Sequence, residues 1–290
     1  MEPSVEITKI SLADTYDGTV EYTYKVDGTF GDKEYDVLIK VSVANGTKSA
    51  VVTHESVAVG SVSTNVNVKT LFGKAYPNVM LFAELKPGGG IQLWKDGPYW
   101  AKCNVGAESP EEFGYDFWWG DTVGYVRNAA NDGWVSAKDG ATIIAFSTSD
   151  AKTYGKNNAT LLNEGWLDAS GNLVAAHDAA RAHLGTPWRM PTNDEIRELL
   201  QKCDFDGMTY KGVPGTVFRG RGDYASKGVF LPAAGNGSGS SFVDSGSCGY
   251  YWSSTPHSTS GSAMFTSLTS NGMGTSGNGR FHGRPVRPVR

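Results

Sequence analysis

The residues best suited to nucleophilic or redox chemistry in this chain are its three cysteines, Cys103, Cys203 and Cys248. They lie far apart, with neither a CxxC pair nor Cys/His ligand spacing, so no zinc site and no disulfide framework are indicated and at most one bridge can form. A serine nucleophile elbow requires Gly-x-Ser-x-Gly after a strand. Gly235-Asn236-Gly237-Ser238-Gly239 and Ser245-Gly246-Ser247-Cys248-Gly249 both miss that spacing. His177 and His183 are six residues apart, about 240° around a helix, and cannot share a metal as an i, i+4 pair would. Gly220-Arg221-Gly222-Asp223-Tyr224-Ala225 fits a loose GxGxxA, but no apolar helix follows to aim its N-terminus at a pyrophosphate, so it reads as a turn. Carboxylates cluster at Glu108, Glu111, Glu112 and Asp116, with Asp121 just beyond, and Glu111 and Glu112 follow Pro110. Glu111 and Glu112 read as the first turn of a short helix, where negative charge favours the dipole. The expectation is a chain with no catalytic residue, no metal and no cofactor.

The most unusual stretch is the tail. The window from Gly235 to Gly283 holds 11 Gly and 13 Ser in 49 residues, a composition that alone suggests disorder. Apolar anchors at Tyr250-Tyr251-Trp252 and Pro285-Val286-Arg287-Pro288-Val289 imply instead a folded, loop-rich region. Within it, Met264, Thr266, Leu268 and Ser270 interleave with Phe265, Ser267, Thr269 and Asn271, an alternation that puts the two sets on opposite faces of a strand. The second set is expected to point outward, preceded by His257, Thr259 and Gly261. A face of mixed Phe, Ser, Thr, Asn and His is suited to contact and hydrogen bonding more than to proton or electron transfer.

The elements that must position this stretch are legible upstream. From Val5 to Leu85 apolar residues recur at period two, as in Val20, Tyr22, Tyr24, Val26 and in Tyr35, Val37, Ile39, Val41, Val43. About six such runs, the later ones through Val62, Val66, Val68 and then Val79 to Leu85, are separated by turns such as Asp17-Gly18, Asp27-Gly28, Gly31-Asp32 and Asn45-Gly46, with no helical period. Residues 1–86 are therefore expected to form an immunoglobulin-like β-sandwich. Residues 87–90 read as a Pro/Gly linker, and residues 91–290 as a second domain, which holds all 8 tryptophans. Two helices are predicted there. One spans the alanine-rich segment from Ala175 to Leu184 and closes at Gly185. The other follows Thr192 as N-cap with Glu195 at the capping-box position, and aligns Ile196, Leu199, Leu200 and Cys203 in one apolar stripe. Cys203 is expected to be a buried thiol.

Composition bounds the function classes. The 290 residues carry 39% hydrophobic and 11% aromatic side chains, enough for a core and against a disordered chain. The formal charge of −4 with no basic run argues against nucleic acid as a partner. Apolar stretches are only a few residues long, far below the 18 or so that span a bilayer, and no charged-then-apolar leader follows Met1. No transmembrane segment is expected.

Several landmarks together resemble one family: Leu93-Trp94-Lys95-Asp96-Gly97-Pro98-Tyr99-Trp100-Ala101, Asn104-Val105-Gly106-Ala107, Gly114-Tyr115-Asp116-Phe117-Trp118-Trp119-Gly120-Asp121, Trp188-Arg189-Met190-Pro191-Thr192, Phe230-Leu231-Pro232-Ala233-Ala234-Gly235, Gly249-Tyr250-Tyr251-Trp252-Ser253-Ser254 and Arg284-Pro285-Val286-Arg287-Pro288-Val289. Residues 91–290 thus resemble the Fibrobacter succinogenes major paralogous domain proteins of Bacteroidota-type bacteria. That family is related in fold to formylglycine-generating enzymes and to the variable proteins of diversity-generating retroelements, so the resemblance implies an α+β C-type lectin-like domain.

In retroelement-diversified relatives the stretch between the Tyr-Trp-Ser-Ser and Arg-Pro-Val segments contacts ligand. Carried over, this points to His257, Thr259, Gly261, Phe265, Ser267, Thr269, Asn271, Gly272, Gly274, Phe281 and His282 as ligand-binding positions, with Phe265, Phe281 and His282 as anchors. The enzymatic relatives use a cysteine pair in the C-terminal segment, whereas no cysteine follows Cys248. The calcium-binding tripeptides of sugar-binding C-type lectins, Glu-Pro-Asn, Gln-Pro-Asp and Trp-Asn-Asp, do not occur. The function implied is a non-enzymatic, exported adhesin-type protein at the cell surface or facing the periplasm, whose partner is a protein or glycan on another cell or host surface. The alternatives are an oxidase of the formylglycine-generating type using Cys248 and Cys103, marked by an accessible low-pKa thiol, and a structural fimbrial or surface subunit.

Overall fold

The structure, a computed structural model, describes residues 3–12, 15–30, 35–54, 57–87, 90–128, 130, 132–269 and 272–290. The turn expected at Gly31-Asp32, Gly88 and Gly89 of the expected linker, and Ser270 and Asn271 of the tail lie outside the described residues. The protein is mostly β, with open antiparallel sheets, and the chain divides into two compact units, Met1–Gly89 and Gly90–Arg290.

The first unit contains β1 (Ser4–Leu12), β2 (Thr19–Asp27), β3 (Tyr35–Val43), β4 (Lys48–His54), β5 (Gly60–Asn67), α1 (Val68–Phe72) and β6 (Val79–Pro87). Two three-stranded antiparallel sheets form, ordered β1-β2-β5 and β4-β3-β6. Their central strands obey the alternation read from sequence. Val20, Tyr22, Tyr24 and Val26 of β2 and Val37, Ile39, Val41 and Val43 of β3 are buried in one shared core, which makes this unit an all-β sandwich. The helix α1 corrects the strand expected through Val68. Asn67 accepts a hydrogen bond from the Thr70 N–H at 2.9 Å and Gly73 closes the turn in the left-handed region. A helix of five residues is too short to print a 3.6-residue period on the sequence.

The second unit begins with short strands β7 (Ile91–Gln92), β8 (Tyr99–Trp100), β9 (Tyr125–Arg127), β10 (Trp134–Ser136) and β11 (Ile143–Ile144), followed by helices α2 (Asn158–Asn163), α3 (Ala179–Leu184) and α4 (Asn193–Lys202). Then come β12 (Asp204–Tyr210), β13 (Val213–Arg219), β14 (Gly228–Pro232), β15 (Asn236–Ser238), β16 (Ser241–Val243), β17 (Gly249–Pro256), β18 (Ser262–Thr269) and β19 (Gly272–Gly279). The main sheets are β12-β13-β14 and β17-β18-β19, both antiparallel.

Helix α4 forms where the sequence placed it. The Thr192 hydroxyl accepts from the Glu195 N–H, the Glu195 carboxylate accepts from the Thr192 N–H, and Arg189 clamps the same carboxylate. Ile196, Leu199 and Cys203 are buried against Trp100, Phe218, Leu231, Tyr251 and Leu268. The alanine-rich segment splits in two. Ala175–His177 is a single 3-10 turn, and α3 starts only after Asp178, whose carboxylate accepts from the N–H groups of Arg181 and Met190. Asp178 thereby ties the start of α3 to the strand-like segment before α4. Glu111 and Glu112 occupy a turn, not the first turn of a helix, with the Glu112 N–H on Ser109 O.

Strands β17 and β18 are buried on both faces, and this decides what the tail can display. Trp252 pairs with Phe265 and faces a core of Phe117, Trp119 and Val286, while Tyr251 and Leu268 face the core under α4. A third aromatic cluster joins Trp118, Tyr125, Trp134 and Phe146.

Candidate recognition surface

Three buried arginines hold the end of the chain. Arg287 donates from Nε to Asn104 Oδ1 at 2.9 Å, from Nη1 to the carbonyls of Ala101 and Lys102, and from Nη2 to Phe230 O at 2.9 Å. Arg280 donates from Nη1 to Thr153 O at 3.2 Å and Lys156 O at 2.9 Å and from Nη2 to Asn158 Oδ1 at 3.0 Å, with its guanidinium over the Trp119 ring. Arg287 and Arg280 each use the planar fork of the guanidinium to satisfy several oxygens at once in fixed directions. Arg284 lies against the rings of Phe265 and Trp252. Burial draws its pKa down to about 9, and raises Asp116 to about 8 against the opposing pull of Arg127 and Arg284.

Arg280 brings the 153–158 turn beside the loop between β17 and β18. The Gly261 N–H donates to Lys156 O at 3.2 Å, the Arg280 N–H to Gly261 O at 2.9 Å, and the Ser260 hydroxyl to Gly155 O at 3.0 Å. Against this frame sit three aromatic rings. Tyr154 is 43% exposed and meets Phe281 edge-on at 5.3 Å and 88°. Phe281 leans on His282 at 4.3 Å, and His282 Nδ1 lies 3.5 Å from Asn236 Nδ2.

The glycines of β19 seat two of the expected side chains. A Cβ at Gly279 would lie 2.3 Å from the Phe281 ring, and one at Gly277 would lie 2.4 Å from the His257 ring. Both rings therefore rest directly on bare backbone. The His257 Nδ1 also accepts the Thr259 N–H at 3.0 Å. The low-complexity composition of the tail thus creates seats for rings, and ring position is fixed by strand backbone instead of by neighbouring side-chain rotamers.

The structure divides the expected ligand-binding residues into two groups. His257, Thr259, Gly261, Phe281 and His282 gather at the end of β18 that carries Tyr154. Thr269, Gly272 and Gly274 lie at the opposite, hairpin end, with Ser267 between Tyr250 and Gly274 in register. An eight-residue strand separates the groups by roughly 25 Å at about 3.3 Å per residue. Thr269 borders a groove of 790 Å³ that also meets Phe205, Met208, Leu268 and Met273. Gly261 is buried, with φ of 74° in the left-handed region that suits its turn.

Phe265 requires correction. It is only 7% exposed and packs between Trp252 and Arg284, so it is a core residue and not an outward anchor. Period two separates the two faces of a strand but does not say which is outside, and on β18 both Phe265 and Leu268 are inside. Tyr154 and Asn236, which complete the cluster, carried no period, since Tyr154 sits in a turn and Asn236 opens a strand of only three residues.

Burial pushes the Cys103 thiol up despite nearby Arg287, and pushes Cys203 up to about 11. All three cysteines are unbridged. Among the described residues, no three His, Cys, Asp or Glu side chains gather as a metal site, and no helix is long and apolar enough to cross a membrane. Compared with protein-family models, curated proteins and solved structures, the chain matches none.

Proposed function

We propose that this is a ligand-binding protein of the adhesin type, whose second unit is a C-type lectin-like domain that presents Tyr154, Phe281, His282, His257 and Thr259 as its recognition surface. The observation that carries the reading is the seating of Phe281 and His257 on Gly279 and Gly277, beside the exposed ring of Tyr154. Rigid aromatic rings among small hydroxyl and amide groups make contact area at low entropic cost. The C-type lectin-like reading is supported by where its landmark residues fall. Trp252, Ser253 and Ser254 are buried in β17, Val286 and Val289 are buried in the closing segment, and Val289 bridges Trp100 and Arg189. The immunoglobulin-like reading of the first unit is supported by its β1-β2-β5 and β4-β3-β6 orders. On this reading the first unit is a stalk, the protein is exported to a cell surface, and its partner is a protein or glycan of another surface.

A thiol oxidase of the kind set out above would require an accessible thiolate, and the upward shift of Cys103 weighs against it. The reading is tested by screening the intact chain against glycan arrays, matrix proteins and bacterial surface fractions beside a Tyr154→Ala, Phe281→Ala variant. A ligand retained by wild type and lost by the folded variant supports it. A ligand bound equally by both refutes the assignment of the surface.

A further inference from the structure

We propose that the free edge of β12 is a second docking site, which takes an extended segment of another polypeptide as an added strand beside β12. It lies toward the hairpin end of β18, away from the ring cluster, and does not depend on the ring cluster being a recognition surface.

The hydrogen-bonding register defines the edge. Lys211 and Gly212 close the β12–β13 hairpin with φ of 46° and 85°, the two-residue turn whose flanking residues exchange hydrogen bonds. Tyr210 and Val213 are those residues, so alternation bonds Met208 to Gly215, Asp206 to Val217 and Asp204 to Arg219. Phe205, Gly207 and Thr209 then point their N–H and C=O groups away from β13. Pro214, opposite Thr209, agrees with this register because it has no N–H to give β12. Among the described residues no strand follows on the far side, and β12 ends the sheet order. A row of alternating backbone donors and acceptors is complementary to another strand and to little else.

Natural sheet edges are usually blunted by charged side chains, lysine above all, or by proline, a bulge or shortness, and the charges of this edge are Asp204 and Asp206, each held by an arginine. The segment Asp204–Tyr210 has neither lysine nor proline, runs seven residues in unbroken register, and leaves Phe205 and Met208 41% and 36% exposed. The 790 Å³ groove lies along the same strand, with Leu268 and Met273 among its apolar lining. Charge selects the occupant. Asp204 and Asp206 keep 68% and 73% of their side chains exposed while each holds one arginine of β13 or of the segment after it, Arg221 and Arg219. A carboxylate accepts several donors, so an incoming strand fits best with basic residues on that face and small apolar residues toward the groove. A second copy of β12, paired antiparallel about Gly207, would set Asp206 opposite Met208 and Asp204 opposite Tyr210, which leaves both carboxylates without a basic partner across the pair.

The test is selection of random dodecapeptides displayed on phage against the full chain, followed by titration of enriched peptides against Gly207→Ala and Gly207→Pro. A Cβ at Gly207 meets nothing within 4 Å, so the alanine variant keeps both fold and donor, whereas proline removes one outward N–H without touching the β13 ladder. The expected result is enrichment of peptides alternating basic and apolar residues, unchanged affinity for the alanine variant, and about tenfold weaker binding to the proline variant. If proline unfolds the chain, N-methylation of alternate peptide residues replaces it, with one methylated set losing binding and the other keeping it. No enriched peptide, binding indifferent to proline and to both methylated sets, or self-association lost on Gly207→Pro overturns the proposal.

Discussion

The guanidinium carbon of Arg284 lies 3.6 Å from the centroid of the Phe265 ring, and this pairing assigns one face of β18 to the core. Trp252 closes on the same guanidinium at 4.4 Å and meets Phe265 at 6.2 Å. A buried arginine without a carboxylate in hydrogen-bonding contact is tolerable when ring faces supply the compensating field. Phe265→Ala is predicted to cost about 3–5 kcal/mol through the cavity it opens, with further loss from the stranded charge. Urea unfolding measures this. A midpoint within error of wild type would return Phe265 to the surface.

Gly279 makes a sharper test of the display surface than any ring deletion. Gly279→Ala places a methyl group where the Phe281 ring rests, so the ring must rotate off its seat. A cost of about 1–3 kcal/mol is expected for the overpacking, together with a changed near-ultraviolet circular dichroism from the Tyr154 and Phe281 pair. An unchanged spectrum would mean that the ring is not held by the strand.

Much of the scaffold was legible because its rules are local. The capping box of Thr192 and Glu195 and the alternation of Val20 to Val26 each need only a few neighbouring residues to be recognised. The alanine-rich run misled because Asp178, placed inside it, offers its carboxylate to two backbone N–H groups and restarts the helix there. The tail residues were picked out by their pattern, but not as one site. Which face of β18 was free depended on Arg284 and α4, residues brought to it from elsewhere in the chain. Tyr154 joined the surface through distant partners, among them Arg280, which reaches across 127 residues to hold Thr153 O.

The pH dependence of stability carries a specific sign. Burial, aided by the charge of Arg284, holds His282 at about 4, below its ordinary 6.5. Between those values the unfolded chain binds the extra proton, so stability is full above about pH 6.5 and falls as pH drops through about 4. Asp116 acts oppositely. Its carboxyl is raised from 3.8 to about 8, so its contribution is greatest below 3.8 and is lost as pH rises to about 8. Subtracting the urea stability of His282→Gln from that of wild type across pH 4 to 7 isolates the histidine, and a flat difference would contradict its burial.

The thiols give a chemical check. With Cys203 at about 11 and fully buried, and Cys103 raised by burial, native protein at pH 7 is expected to label slowly at Cys203 and Cys103 with a disulfide reagent and rapidly once unfolded. Fast native labelling at Cys103 would favour the oxidase reading.

The most direct measurement is the affinity of the first ligand captured by the intact chain for two folded variants, Tyr154→Ala with Phe281→Ala at one end of β18 and Thr269→Ala with Met273→Ala at the other. The account predicts at least about tenfold weakening in the first, as for loss of central aromatic anchors, and little change in the second. Full affinity in the first variant with loss in the second would move recognition to the hairpin end and contradict it.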